Sequence, residues 1–116
     1  MSREALSFLR DIEESCRRIA EYARGLTRDE VLGDNMRFDG ILHNFYVIGE
    51  AVKRLPDDLR QANPDIPWRE IAGMRDFIAH AYFALDIEIL WRGIQQDVPR
   101  LLNRVREVIA AEEPEE

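Results

Sequence analysis

"REALSFLRDIEESCRRIAEYARG", residues 3–25, decides the class of fold. Ala5, Leu9, Ile12, Cys16, Ile19 and Ala23 recur at steps of three and four, with Leu6, Phe8 and Tyr22 flanking them. That spacing follows the turn of an α-helix with one apolar stripe, and charged residues fill the opposite side. The stretch is long enough for about six turns. Cys16 lies on the stripe, where a buried structural thiol is expected rather than a reactive one.

The same period continues along the chain. Thr27 and Glu30 form a T-x-x-E capping box, so a short helix starts there and stops at Gly33. A second long helix is predicted over roughly 35–54, with Phe38, Ile41, Leu42, Phe45, Ile48 and Val52 among its apolar residues. Gly40 and Gly49 weaken it locally and would let another helix approach closely. Residues 55–69 hold three prolines and several Asp and Asn, which reads as a loop with one helical turn at 57–62. Pro67 suits the first turn of a helix running to about Tyr82. Asp86 caps a last long segment whose apolar face runs from Ile87 to Ile109. Pro99 sits inside that pattern and should kink or split it near 96–98. No strand pattern and no internal repeat is visible. The expectation is an all-α, four-to-five-helix up-and-down bundle forming a single domain over 1–110. Residues 111–116, AEEPEE, should be a disordered acidic tail.

Composition narrows the function. With 116 residues and 46% apolar residues the chain suits one domain with a real core. Its single cysteine cannot form an intrachain disulfide, no apolar run approaches a membrane span, and the N-terminus is too charged for a secretory signal. A complete, cytoplasmic protein is expected. The net charge of −7 counts against a protein that coats nucleic acid, since phosphate binding is driven by Lys and Arg. It leaves room for local action on RNA in a small basic cleft.

"MRDFIAHAYFAL", residues 74–85, carries Arg75, His80 and Tyr82 in an apolar setting where unpaired polar groups are costly. On a helix over 68–82, Ile71, Met74, Phe77, Ile78 and Ala81 form a core stripe. Arg75 falls to one side with Tyr82 nearly above it, and His80 lies about 140° around from Arg75. One straight helix cannot aim both at one point. Either the helix loosens near His80 or a second copy of the chain completes the site. Histidine moves protons near neutral pH, arginine presents a fork to phosphate oxygens, and tyrosine can hydrogen-bond or stack on a base. No acid cluster has metal-ligand spacing, so neither a metal nor another cofactor is expected. These groups suit metal-independent RNA cleavage with the 2′-hydroxyl as nucleophile. They also suit a purely structural arrangement of paired polar groups.

R-D-F-I-A-H-A-Y reads R-x4-H-x-Y with a polar residue, Asp76, directly after the arginine. This resembles the signature of HEPN-domain ribonucleases. "IGEAVKRLP" at 48–56, "NPDIPWREIAGMRD" at 63–76 and the run from "DIEILW" to "DVP" at 86–99 are similar to the HepT-like toxin branch. The resemblance spans roughly 36–102. It implies a HEPN-like bundle that dimerises through its motif-bearing helices, with two motifs meeting in a shared cleft. It further implies metal-independent endoribonuclease toxin activity with Arg75 and His80 catalytic. A minimal nucleotidyltransferase antitoxin would be the partner, silencing the toxin by AMP transfer to Tyr82. The other reading is a non-catalytic HEPN module that binds a nucleotidyltransferase or a nucleotide.

Asp76, His43, Asn44 and Glu50 are candidate cleft supports. His43 could equally lie on a helix surface or at the core edge. Glu50 is either a buried partner of Arg75 or a solvated charge. Trp68 and Trp91 suit core or dimer packing more than base stacking. His43 and His80 lack the further ligands a zinc site would need.

Overall fold

The computed structural model describes residues 1–112, all of whose regular structure is helical. Helix α1 spans Arg3–Ala23 and opens with Ser2 Oγ accepting the Ala5 N–H at 3.0 Å. The predicted stripe is its core face, with Leu9, Ile12, Cys16 and Ile19 wholly buried. Burial pushes the Cys16 thiol pKa up to about 12, against the pull of Arg106. Helix α2, Arg28–Leu32, carries the complete Thr27–Glu30 capping box. Helix α3, Asn35–Arg54, is capped by Asp34. Helix α4, Asp57–Ala62, occupies the predicted single turn, and α5, Trp68–His80, begins directly after Pro67.

Two features of α5 depart from the sequence reading, and a third, beside Pro99, meets it in a specific form. First, α5 ends at His80 rather than Tyr82. Ala81 leaves the helical region at φ −135°, ψ 36°, and Tyr82–Ala84 form a 3₁₀ turn. No Gly or Pro announces this stop. The chain must turn before Asp86 caps the next helix, and its Oδ1 accepts the N–H groups of Glu88 and Ile89. Second, the stripe assigned to the core on α5 is only half-buried. Ile71, Met74, Ile78 and Ala81 are intermediate, and Phe77 is 43% exposed. Third, the disturbance expected near Pro99 is a π-helical segment, Gly93–Asp97, joining α6 (Ile87–Arg92) to α7 (Val98–Glu112). The Val98 N–H reaches back five residues to the Gly93 carbonyl, so the bulge adjusts the ladder beside Pro99, which cannot donate. Helix α7 continues to Glu112, taking in the first two residues of the expected tail; residues 113–116 lie outside the described residues.

The long helices pack in a row. Helix α7 lies against α1, α1 against α3, and α3 against α5. The chain measures 44 × 30 × 21 Å, so its shortest dimension is about two helix diameters. Helix α5 is therefore an edge helix that rests mainly on α3. Between α5 and α7 runs a groove of about 720 Å³ floored by Phe45 and Ile48 of α3. No helix among the described residues is long and apolar enough to cross a membrane.

Candidate functional site

Arg75 is placed by a backbone-level approach of α5 to α3. A Cβ on Gly49 would collide with the Arg75 Cβ, so only glycine permits this approach. One turn to either side on α3, Tyr46 and Lys53 flank the crossing, with Glu50 beside Gly49. The Arg75 guanidinium lies 4.8 Å from the Tyr46 ring centroid, and its Nη2 donates to the Tyr46 hydroxyl at 3.0 Å. Nη1 donates to Asp76 Oδ1 at 3.1 Å. Nε is 2.5 Å from Glu50 Oε1. That ion pair is not aligned as a hydrogen bond, so the Nε–H is buried without an acceptor in line. Glu50 is thus the arginine's partner, not a solvated charge.

Asp76 also accepts from Lys53 Nζ. Two cations and two carboxylates make this group neutral. The Asp76 carboxyl is held below the usual range by Lys53 and, more weakly, Arg75, while partial burial opposes them. Burial pulls the Arg75 pKa down, but Asp76, Glu50 and Tyr46 together outweigh it and the pKa is raised.

His80 is the last residue of α5 and is exposed. Tyr82 follows in the 3₁₀ turn, 44% exposed, with the Phe83 ring edge-on to it at 5.4 Å and 87°. Phe83 is fully exposed, so Phe77, Tyr82 and Phe83 surround His80 in sequence with uncovered aromatic surface. The placement of Tyr82 above Arg75 assumed an unbroken helix and is removed by the turn at Ala81. Among the described residues, no hydrogen bond or ion pair joins His80 or Tyr82 to Arg75 within one chain.

Asn44 is buried, and its Nδ2 donates to the Gly40 carbonyl of its own helix at 2.7 Å. His43 is exposed. Neither is hydrogen-bonded to Arg75, His80 or Tyr82 among the described residues. Trp68 is buried and its indole N–H is shared by the Arg60 and Asn63 carbonyls. Trp91 packs half-buried against the core. Tyr46 is not singled out by the sequence reading. The available signal is its position one turn before Glu50, a polar tip on the apolar side of α3. No group of three or more His, Cys, Asp or Glu among the described residues is placed to hold a metal ion.

A helical domain with an anchored arginine and an exposed histidine on one terminating helix, and a tyrosine in the turn beyond, has the makeup of a HEPN-type ribonuclease domain. The family model described as Ribonuclease HepT-like matches residues 12–108, and the chain belongs to that family. It is 36% identical to the protein named "Probable ribonuclease HepT" of Thermococcus cleftensis, over 90% of this chain and 94% of that one. A protein of Caldanaerobacter subterraneus subsp. tengcongensis, provisionally named an RNase, is 33% identical over 90% of this chain and 94% of its own length. Another provisionally named RNase, from Methanocaldococcus jannaschii, is 35% identical over 92% of this chain and 88% of its own. No solved structure gave a significant match. Ribonuclease activity is thus the function of the family to which the chain belongs.

Proposed function

We propose that the chain is a metal-independent endoribonuclease, the toxin of a cytoplasmic toxin–antitoxin pair, acting as a C2 homodimer. The observation that carries this reading is the contrast, on one helix, between an anchored Arg75 and an exposed His80 that has no partner among the described residues. His80 takes the proton of a ribose 2′-hydroxyl. The 2′-oxygen then forms a bond to phosphorus, the bond to the 5′-oxygen breaks, and the departing oxygen takes up a proton from water. Arg75 stabilises the charge on the non-bridging phosphate oxygens. Its guanidinium is already oriented by Tyr46, Glu50 and Asp76, so little freedom is lost when phosphate arrives.

Arg75 turns to α3 while His80 faces outward, and this divergence supports a site in which a second chain helps bring an arginine and a histidine to one phosphate. The half-buried apolar side of α5, with Phe77, Tyr82 and Phe83 exposed, supplies a surface for that pairing. A nucleotidyltransferase antitoxin transfers AMP from ATP to the exposed Tyr82 hydroxyl, the Tyr82 oxygen bonding to the α-phosphorus as pyrophosphate leaves, and the added bulk and negative charge exclude RNA phosphate.

The test is digestion of RNA by the purified protein in EDTA. Wild type should cleave, and Arg75→Ala and His80→Ala should not, with helical content retained. Undiminished cleavage by His80→Ala would remove its assigned role. Tyr82→Phe should cleave RNA yet escape neutralisation when the cognate nucleotidyltransferase is co-expressed. An AMP adduct mapped to Tyr22 or Tyr46 would overturn the assignment of Tyr82. A monomeric mass at micromolar concentration would exclude the two-chain site.

A further inference from the structure

A second cleft, of about 630 Å³, lies between α4 and the outer side of α5. Its lining includes Asp57, Arg60, Gln61, Arg69, Gly73 and Asp76. Nothing in the family match assigns it a role. Asp76 belongs to this lining and also bonds Arg75, so the cleft abuts the candidate site.

Three observations give the cleft a ligand. The first is a line on α5. Arg69, Gly73, Asp76 and His80 are spaced by four, three and four residues, which places them in one row on the helix surface. From Arg69 to His80 the row is about 16 Å long. The second is the floor of that row. Gly73 is exposed, and a Cβ there would meet nothing within 4 Å, so a chain can lie flat across α5. The third is charge. Arg69 has no hydrogen bond or ion pair among the described residues. Arg60 is bonded by its side chain to Asp57, whose own side chain is 79% exposed. In a chain of net charge −7, this places one unengaged guanidinium, and one held only by a solvated carboxylate, along the line that leads to His80.

We propose that this cleft is a phosphate-backbone subsite for single-stranded RNA. It would hold the nucleotides that flank the scissile phosphate on one side, with Arg69 and Arg60 each touching a phosphate. The proposal rests on the ribonuclease reading and adds the path of the substrate. Arginine's planar fork suits phosphate oxygens. The one aromatic residue of the lining, Trp68, is 8% exposed, with its N–H committed to two carbonyls. It offers no face for a base, so the subsite reads backbone and is indifferent to sequence.

The experiment measures binding of a fluorescein-labelled ten-nucleotide single-stranded RNA to the full chain carrying His80→Ala, across a series of salt concentrations. Removing one phosphate-binding cation should reduce the slope of log K against log[salt] by about 0.7. Arg69→Ala should show one such step, Arg60→Ala with Arg69→Ala about two, and Arg69→Lys should restore most of the slope. In the cleaving chain, the double variant should raise KM for the ten-nucleotide RNA. It should leave kcat/KM for a dinucleotide, which has no flanking phosphate, unchanged. If the parent binds and wild type cleaves while the double variant keeps the full slope, the subsite is wrong and the ribonuclease reading stands. If wild type neither binds nor cleaves RNA, both fall. If the double variant loses slope only with a changed mass by light scattering, the cleft is an interface between copies and the subsite is overturned.

Discussion

Helices α1 and α5 both present an apolar stripe in sequence, but they end in different surroundings. Helix α1 lies between α3 and α7 and buries Leu9, Ile12, Cys16 and Ile19 completely. Helix α5 rests mainly on α3, and Trp68 is its one buried residue. The stabilising area is thus concentrated in the row formed by α7, α1 and α3, while the motif rides on an edge whose apolar side is unfinished. In the proposed function α5 receives a substrate and a second chain, and an element in that role cannot bury its whole surface inside its own domain.

The sharpest way to break this comparison is to truncate one side chain on each helix. Ile19→Ala, at a wholly buried position, should cost about 2–5 kcal/mol. Phe77→Ala should cost about 1 kcal/mol or less, because much of that ring is already in water. Urea midpoints at a low, fixed protein concentration check this. Equal losses would mean that α5 is as integral to the core as α1. In the proposed dimer, Phe77→Ala should instead lower the molecular mass seen by light scattering.

The crossing between the two regions comes next. Gly49→Ala puts a methyl into the Arg75 side chain and should cost about 1–3 kcal/mol. Because α5 must shift, RNA cleavage should fall further than stability alone explains, read as loss of rate under conditions where circular dichroism shows the variant folded. Gly73→Ala is the paired control. The same substitution, on the open face of α5, should raise stability by up to about 1 kcal/mol through better helix propensity. A stability loss at Gly73 would show that the outer face of α5 is covered.

The smallest effect is electrostatic. Asp76 has a folded pKa depressed by Lys53 and Arg75, so its contribution is present above its unfolded pKa, near 3.8, and is lost as pH falls through the lower folded value. Asp76→Asn should therefore be less stable than wild type at pH 7, and the gap should close below about pH 4. Urea midpoints on either side of that range test this. The pair is half-exposed, so salt should reduce the difference.

The elements that sequence reading locates well are those governed by local rules. The capping box at Thr27, the Asp86 cap and the span Asn35–Arg54 each depend on residues within a turn of one another. The glycine at 49 is legible as a close-approach position, though not what approaches it. The end of α5 at His80 is not legible, because Ala81, Tyr82 and Phe83 continue an apolar pattern without a breaker. The role of Tyr46 is hidden for a related reason. Its partner is 29 residues away, and no period links them.

By itself the sequence determined the helical class, most helix boundaries, and the presence of an arginine, a histidine and a tyrosine in R-x4-H-x-Y spacing. Periodicity, caps and spacing are short-range properties, and each is complete within a few turns of chain. Only the tertiary structure decided which side of α5 is inner. Gly49 draws the helix in at Arg75, turning the arginine onto Tyr46 and Glu50 and leaving His80 outside. That choice follows from which helices can approach at backbone distance, a relation between residues far apart in the chain.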